Sequence, residues 1–315
     1  MRIAFVWDWN LVYSQASTWQ DGLAAALKEL QNRGHDVQVM MPCNEGEDRI
    51  VDSPLHEILV TSGIPQSVEH YHPDVILCWG DMTRPNALPL AELGIPMAIC
   101  FAGGEVNGEN RDLFDWIFVE SGAYAKKLDY AGRTNFSIAF GTNTDLFTPI
   151  EQNKVFDTIF PATFAAWKRH GLYAQAVEGL RSLAVGYMYH DHETECWQDC
   201  LKHGVTIMPH VSAENLKYLY AASSVCLITS DSSGGSQRTL LEAMAMNLPV
   251  VVTDSDKFDF GNILYRADPT PESIRGYVKA LLDGPQSTNT RDFILQNWSH
   301  VKYADSLEEG LLNLL

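Results

Sequence analysis

Residues 223–252 read Ser223-Ser224-Val225-Cys226-Leu227-Ile228-Thr229-Ser230-Asp231-Ser232-Ser233-Gly234-Gly235-Ser236-Gln237-Arg238-Thr239-Leu240-Leu241-Glu242-Ala243-Met244-Ala245-Met246-Asn247-Leu248-Pro249-Val250-Val251-Val252. Val225 to Ile228 is a short apolar run, and Ser233-Gly234-Gly235-Ser236 is a turn of small residues. Residues 237–246 carry a helical pattern, and Pro249 to Val252 is a second apolar run. Strand, turn, helix and strand in that order is the unit from which parallel sheets covered on both faces are built. Working back toward the N-terminus, the spacing predicts further strands at Thr158 to Phe160, Leu183 to Met188 and Val205 to Met208. Helical stretches near 169–182, 193–203 and 213–222 separate them.

The same alternation fills the first half of the chain. Ile3 to Trp7 opens it, and Leu23, Leu27 and Leu30 recur at helical spacing up to Gly34, a natural helix stop. Thr18 followed by Asp21 resembles a capping box at the start of that helix. Val37 to Met41, Val75 to Cys78, Pro96 to Phe101, Trp116 to Val119 and Ser137 to Phe140 continue the series. The pattern restarts after Pro149, and the polar Glu151-Gln152-Asn153-Lys154 marks a linker. The expected organisation is an α/β chain with one doubly wound domain over residues 1–150 and a second over 151–295. A last helix in 296–315 returns to the first domain. Two such domains facing one another make a cleft, and ligands bind doubly wound sheets beyond the carboxyl ends of their strands.

Composition sets further bounds. With 315 residues and 46% hydrophobic residues, the chain can build two cores. A net charge of −18 opposes tight binding to nucleic acid, whose affinity comes from Lys and Arg on phosphates, and adsorption to anionic membranes. No run of about 18 apolar residues is present to make a transmembrane helix. Asp8 interrupts the first apolar run before a signal-peptide core forms. Six cysteines lie mostly within apolar segments, which suits reduced thiols in a cytoplasm better than a disulfide framework.

Several strings then resemble the large retaining family of GT-B glycosyltransferases that includes sucrose synthases and bacterial mannosyltransferases. They are Arg33-Gly34-His35-Asp36-Val37, Gly141-Thr142-Asn143-Thr144-Asp145-Leu146-Phe147-Thr148-Pro149, and Leu240-Leu241-Glu242-Ala243-Met244-Ala245 followed by Leu248-Pro249-Val250-Val251. Their order and spacing match the family over almost the whole chain. The resemblance implies the GT-B fold of two Rossmann-like domains and transfer of a sugar from a nucleotide-diphosphate sugar. The acceptor hydroxyl, on a sugar, lipid, small molecule or protein, stays unidentified. It also implies retention of configuration with no cofactor and no tightly bound metal. The chain departs from the family pattern at four places. Gly234 stands where a second glutamate is usual, eight positions before Glu242. Asp8-Trp9-Asn10-Leu11-Val12-Tyr13 replaces a glycine-rich loop, Ala102 precedes Gly103 where a histidine is frequent, and Thr163 stands where an arginine is expected.

On this resemblance Glu242 accepts hydrogen bonds from the ribose hydroxyls of the donor. A carboxylate set among Leu240, Leu241, Ala243 and Met244 needs some partner in any case. Gly234, Gly235, Ser236 and Gln237 lead into its helix. Glycines there admit a ligand close to the backbone, and a helix start offers free N–H groups to a pyrophosphate or sugar. The alternative is a turn that merely needed small residues. Lys168 and Arg169, with Thr163 upstream, follow the first strand of the second domain. Paired cations there neutralise a diphosphate leaving group, or are surface cations set unfavourably against a helix dipole. Glu105 contacts the acceptor, stands in for the missing histidine, or is a solvated loop carboxylate. His190, Asp191, His192, Cys196, Cys200 and His203 match no familiar zinc spacing, and Asp254-Ser255-Asp256 lies where the GT-B pattern has only a connecting loop, so no metal site is expected. Two other functions stay open: a nucleotide-sugar-binding protein without catalysis, and a viral-type transferase acting on modified DNA bases, which the acidic charge disfavours.

Overall fold

The computed structural model describes residues 1–7, 13–43, 48–80, 82–101, 111–188, 194–231, 238–253, 260, 263–284 and 289–315. The chain divides into two compact units. Met1–Asn143 with Trp298–Leu315 forms the first, and Thr144–Asn297 forms the second. Each is a sheet flanked by helices.

The first unit holds strands β1 (Arg2–Trp7), β2 (Asp36–Pro42), β3 (Arg49–Asp52), β4 (Glu57–Thr61), β5 (Val75–Trp79), β6 (Met97–Cys100), β7 (Trp116–Val119) and β8 (Phe136–Ile138). They lie in the order β3-β4-β2-β1-β5-β6-β7-β8, parallel except for the β3–β4 hairpin. Its helices are α1 (Gly22–Asn32), α2 (Ile64–Tyr71), α3 (Arg84–Ala91) and α4 (Gly122–Tyr130). The apolar runs become central strands because both sheet faces are covered; Ile3, Ala4, Phe5 and Val6 are all fully buried. The hairpin is not evident in the sequence because β3 is mostly exposed and mixes Arg49 and Asp52 with two apolar residues. The expected capping box is corrected. Asp21 itself caps α1, its Oδ1 accepting from the Leu23 and Ala24 amides at 3.0 Å each, while Thr18 ends a separate 3-10 turn.

The second unit holds β9 (Phe156–Pro161), β10 (Ser182–Gly186), β11 (Thr206–Pro209), β12 (Ser223–Ile228), β13 (Val250–Val252) and β14 (Tyr265–Arg266). Their order, β11-β10-β9-β12-β13-β14, is fully parallel and is the doubly wound 3-2-1-4-5-6 arrangement. Its helices are α5 (His170–Ala176), α6 (Thr194–Lys202), α7 (Ala213–Ala221), α8 (Arg238–Ala245), α9 (Pro271–Asp283) and α10 (Thr290–Asn297). The opening stretch of sequence forms β12, α8 and β13, with Cys226, Leu227 and Ile228 paired to Val250, Val251 and Val252. The long helix expected over 169–182 is shorter: α5 stops at Ala176, and the turn at Gly179 (φ +82°) feeds β10.

A final helix, α11 (His300–Leu312), packs on α1 in the first unit. Leu27 and Leu30 share a core with Tyr303, Ala304, Leu307 and Leu311. Above that core Arg33 binds Glu29 at 3.1 Å, Asp305 at 2.9 Å and Glu308 at 2.7 Å, while His35 Nε2 meets Glu308 Oε1 at 2.7 Å. The chain reaches α11 through a close approach: a Cβ on Gly141 would sit 2.7 Å from the Ser299 carbonyl, and one on Gly22 would sit 2.0 Å from that of Gly141. Only glycine fits at either place. All six thiols are free, and Cys78, Cys100, Cys200 and Cys226 are buried. No described helix is long and apolar enough to cross a membrane.

Two predictions follow from these contacts. Glu308→Gln removes the carboxylate shared by His35 and Arg33, whose hydrogen bonds hold its pKa below the usual range. We expect a loss of about 1–2 kcal/mol in denaturant unfolding of the first unit, against no measurable loss for the exposed Glu309→Gln. The second concerns His170, fully buried between Phe160 and Phe164, with ring centroids 4.8 and 4.4 Å away. Among the described residues neither ring nitrogen meets a partner at hydrogen-bonding geometry. Burial pushes its pKa down to about 3, the Lys168 charge adds to the shift, and the nearby Ala165 backbone opposes it. The unfolded chain therefore takes up a proton near pH 6.5 that the folded one refuses. Stability is full above that pH and falls as pH drops toward 3, by up to about 1.4 kcal/mol per pH unit. His170→Leu should flatten the melting temperature between pH 7 and 5, before carboxylates titrate.

Candidate functional site

In the doubly wound order of the second unit, the switch point lies between β9 and β12, where connections leave the sheet in opposite directions. The segments beyond the carboxyl ends of these two strands are the expected ligand-binding region. They hold Thr163, Lys168 and Arg169 on one side and Thr229, Ser230 and Asp231 on the other.

After β9 the backbone crosses the end of β10. The Ala162 amide donates to Val185 at 2.9 Å and that of Phe164 to Tyr187 at 2.8 Å. A Cβ on Gly186 would fall 1.9 Å from the Ala162 carbonyl, so this approach requires glycine. Thr163 is half-buried there. A single 3-10 turn, Ala166–Lys168, then leads to Arg169, which caps α5 in the left-handed region at φ +55°.

Arg169 laces three strand ends together. Its Nε donates to the Thr229 carbonyl at 2.6 Å, and Nη2 donates to the Ser230 carbonyl at 2.9 Å and to Thr253 Oγ1 at 2.8 Å. Thr229 Oγ1 donates in return to the Lys168 carbonyl at 2.9 Å, and the Asp231 amide donates to the Trp167 carbonyl at 2.9 Å. The two cations read as a pair from the sequence thus sit differently. The described bonds of the Arg169 guanidinium run to the protein's own oxygens, while half-buried Lys168 stands in the turn before it.

Glu242 lies in the second turn of α8, where every residue from Leu240 to Ala245 is buried; Glu242 itself is 5% exposed. Its Oε2 accepts from the hydroxyl of Tyr220, at the end of α7, at 3.0 Å. Tyr220 is fully buried, its ring set edge-on to Phe147 at 6.0 Å. Burial raises its pKa well above the usual tyrosine value, and the Glu242 charge adds to this, so the phenol keeps its proton and donates. The same carboxylate, after burial, raises the pKa of the Cys226 thiol beneath it.

Helix α8 is fastened at its other end too. Asn247, at φ +59°, terminates it, and Thr290 Oγ1 donates to the Met244 carbonyl at 3.0 Å. Arg291 donates to the carbonyls of Ala245 at 2.8 Å, Phe147 at 2.7 Å and Thr144 at 3.1 Å. Tyr220 and Arg291 were missed in the sequence. Each acts across a long separation in the chain, and neither belongs to a local motif.

Of the other sequence candidates, Glu105, Gly234, Gly235, Ser236 and Gln237 lie outside the described residues. So do His190, Asp191, His192 and Asp254-Ser255-Asp256. Among the described residues no three His, Cys, Asp or Glu side chains are placed to hold a metal. Cys196 and Cys200 share helix α6, where burial and the Cys196 and Asp199 charges push the Cys200 thiol up to about 12.

The lacing generates a prediction that separates strain from bonding at Arg169. A left-handed backbone costs a non-glycine residue about 1 kcal/mol, and the guanidinium bonds offset it. Arg169→Ala should destabilise the second unit by about 2–3 kcal/mol. Arg169→Gly should recover about 1 kcal/mol of that loss. The pair is compared by denaturant unfolding; equal losses would mean that the backbone carries no strain.

Comparison with known proteins bears on the fold. No curated protein sequence matches the chain. Sucrose-phosphate synthase from Thermosynechococcus elongatus has a similar structure at 14% identity and a TM-score of 0.76, over 99% of this chain and 98% of that one. Anabaena HepE, solved in complex with UDP and glucose, is similar at 15% identity and 0.74, over the whole of both chains. UDP-GlcNAc 2-epimerase from Neisseria meningitidis, bound to UDP-GlcNAc, is similar at 14% and 0.59, over 99% of this chain and 100% of that one. At such identities the likeness is one of fold. Residues 158–280, from within β9 through most of α9, match the family model described as glycosyl transferases group 1. The chain has the GT-B fold, and residues 158–280 of its second unit are similar to glycosyl transferases group 1.

Proposed function

We propose that the protein is a glycosyltransferase that takes a sugar from a nucleotide-diphosphate donor, with UDP as the first nucleotide to test. One observation carries this reading: in the matched domain, at the carboxyl side of a doubly wound sheet, α8 buries a single carboxylate, Glu242. Burial of a charge is costly without charge-assisted hydrogen bonds. Ribose hydroxyls at Glu242 would add donors beside the Tyr220 hydroxyl. The complexes of HepE with UDP and glucose and with UDP-glucose support a uridine nucleotide.

The chemistry in this reading is as follows. The bond between the sugar's anomeric carbon and the diphosphate oxygen breaks, and a bond from that carbon to the acceptor oxygen forms on the same face. The acceptor's proton passes to the leaving diphosphate. Lys168 stabilises the charge that develops there, with no divalent metal. Gly234, Gly235, Ser236 and Gln237 would cradle the sugar and phosphates, and Glu105 would meet an acceptor of unspecified class. Gly234 has no side chain to bond the far hydroxyls of a hexose, which supports a pentose, deoxy- or N-acetylated sugar, or weaker discrimination among hexoses. Six free thiols support a reducing compartment such as the cytoplasm.

A second reading, donor binding without turnover, is favoured by the engagement of Arg169 with the Thr229 and Ser230 carbonyls. That engagement leaves less cationic charge directed at a leaving group.

The test is a panel of UDP-sugars assayed for UDP release, with and without exhaustive chelation. We expect turnover with at least one donor, unchanged by chelation and lowered about 10²-fold or more in Lys168→Ala. Binding by calorimetry without UDP release would select the second reading. Turnover abolished by chelation and restored by manganese or magnesium would contradict the metal-independent mechanism.

A further inference from the structure

We propose that Tyr220 is a positioning residue that presents the Glu242 carboxylate to the ribose of the bound nucleotide. The proposal rests on the reading of Glu242 given above and adds what holds that side chain in place. A carboxylate on a helix ordinarily samples several rotamers, and fixing one of them costs entropy. Within α8, Glu242 is set among the buried residues Leu240, Leu241, Ala243, Met244 and Ala245, whose side chains are apolar. The Tyr220 hydroxyl donates to it, 3.0 Å from Oε2.

The geometry fixes the tyrosine as firmly as the tyrosine fixes the glutamate. Its hydroxyl also lies 3.2 Å from the Thr239 carbonyl, one turn earlier in α8. A phenol has one proton for two acceptors, and the charged carboxylate is the stronger of them. The ring stands edge-on to Phe147, whose own carbonyl is held by Arg291, the residue that also holds the end of α8 at Ala245. One buried ring thus ties the end of α7, the first two turns of α8 and the 144–148 segment to the same point. Tyr220 touches no substrate in this scheme and acts through Glu242. With Oε2 fixed by the phenol, the carboxylate is pre-organised to accept from vicinal hydroxyls, the arrangement that a ribose 2′,3′-diol offers.

Calorimetric titration with UDP and with 2′,3′-dideoxy-UDP tests the proposal on wild type, Tyr220→Phe, Glu242→Ala and the double variant. Tyr220→Phe should weaken UDP about five- to tenfold and change the dideoxy nucleotide less than about twofold. The double variant should bind UDP no worse than Glu242→Ala, because the tyrosine acts only through the glutamate. Phe147→Leu keeps the hydroxyl while loosening the ring's seat, and should give a smaller loss with the same selectivity for the diol. It is the readout to use if Tyr220→Phe does not fold. An equal loss for both nucleotides, or wild-type affinity in Tyr220→Phe beside a weakened Glu242→Ala, overturns the positioning role and leaves the ribose reading standing. Wild-type affinity in Glu242→Ala, or no UDP binding by the wild type, defeats the ribose reading and this proposal with it.

Discussion

A carboxylate taken out of water must be hydrogen-bonded, and the second unit is arranged around one such group. Glu242 sits in a helix buried on all sides, where an isolated charge would cost several kcal/mol. Tyr220 supplies a donor from a neighbouring helix. Arg291 and Thr290 hold the helix by its last carbonyls, and Asn247 ends it at once so that Val250 can enter the sheet beside Cys226. Hydrophobic burial alone would be served better by a leucine at position 242. A carboxylate there has the cost of desolvation without a packing gain.

The region beyond β9 and β12 shows the same compromise. Arg169 adopts a backbone conformation that glycine would take without strain, and its guanidinium fixes the ends of β12 and β13 through three hydrogen bonds. The switch point of a doubly wound sheet is open by construction, because neighbouring connections depart in opposite directions. Lacing by Arg169, Thr229 and Asp231 keeps that opening in a defined shape.

Much of this fold was legible in the sequence because parallel strands covered on both faces must be apolar throughout. Ile3 to Trp7, Val75 to Cys78, Val225 to Ile228 and Pro249 to Val252 all announce themselves in that way. The β3–β4 hairpin did not, since an edge exposed to water tolerates Arg49 and Asp52. The cap of α1 was misread by three residues because Thr18 and Asp21 are both good caps, and the choice between them is made by the 3-10 turn before Asp21. Within the candidate site, Glu242 stood out as a charge in an apolar run. Its partner did not: Tyr220 lies 22 residues upstream, on a different helix. The role of Arg169 was equally hidden, because two of its acceptors are backbone carbonyls, which leave no trace in side-chain identity, and the third, the Thr253 hydroxyl, lies 84 residues away.

In the proposed reading the nucleotide lies at the carboxyl end of the second unit's sheet with its ribose on Glu242, which a crystal structure of the full chain soaked with UDP would reveal. A ribose hydroxyl should lie within about 3 Å of the Glu242 carboxylate, with the Tyr220 hydroxyl still bonded to the same group and the diphosphate beside Lys168. UDP bound elsewhere, or bound there with its ribose turned away from Glu242, would contradict that reading.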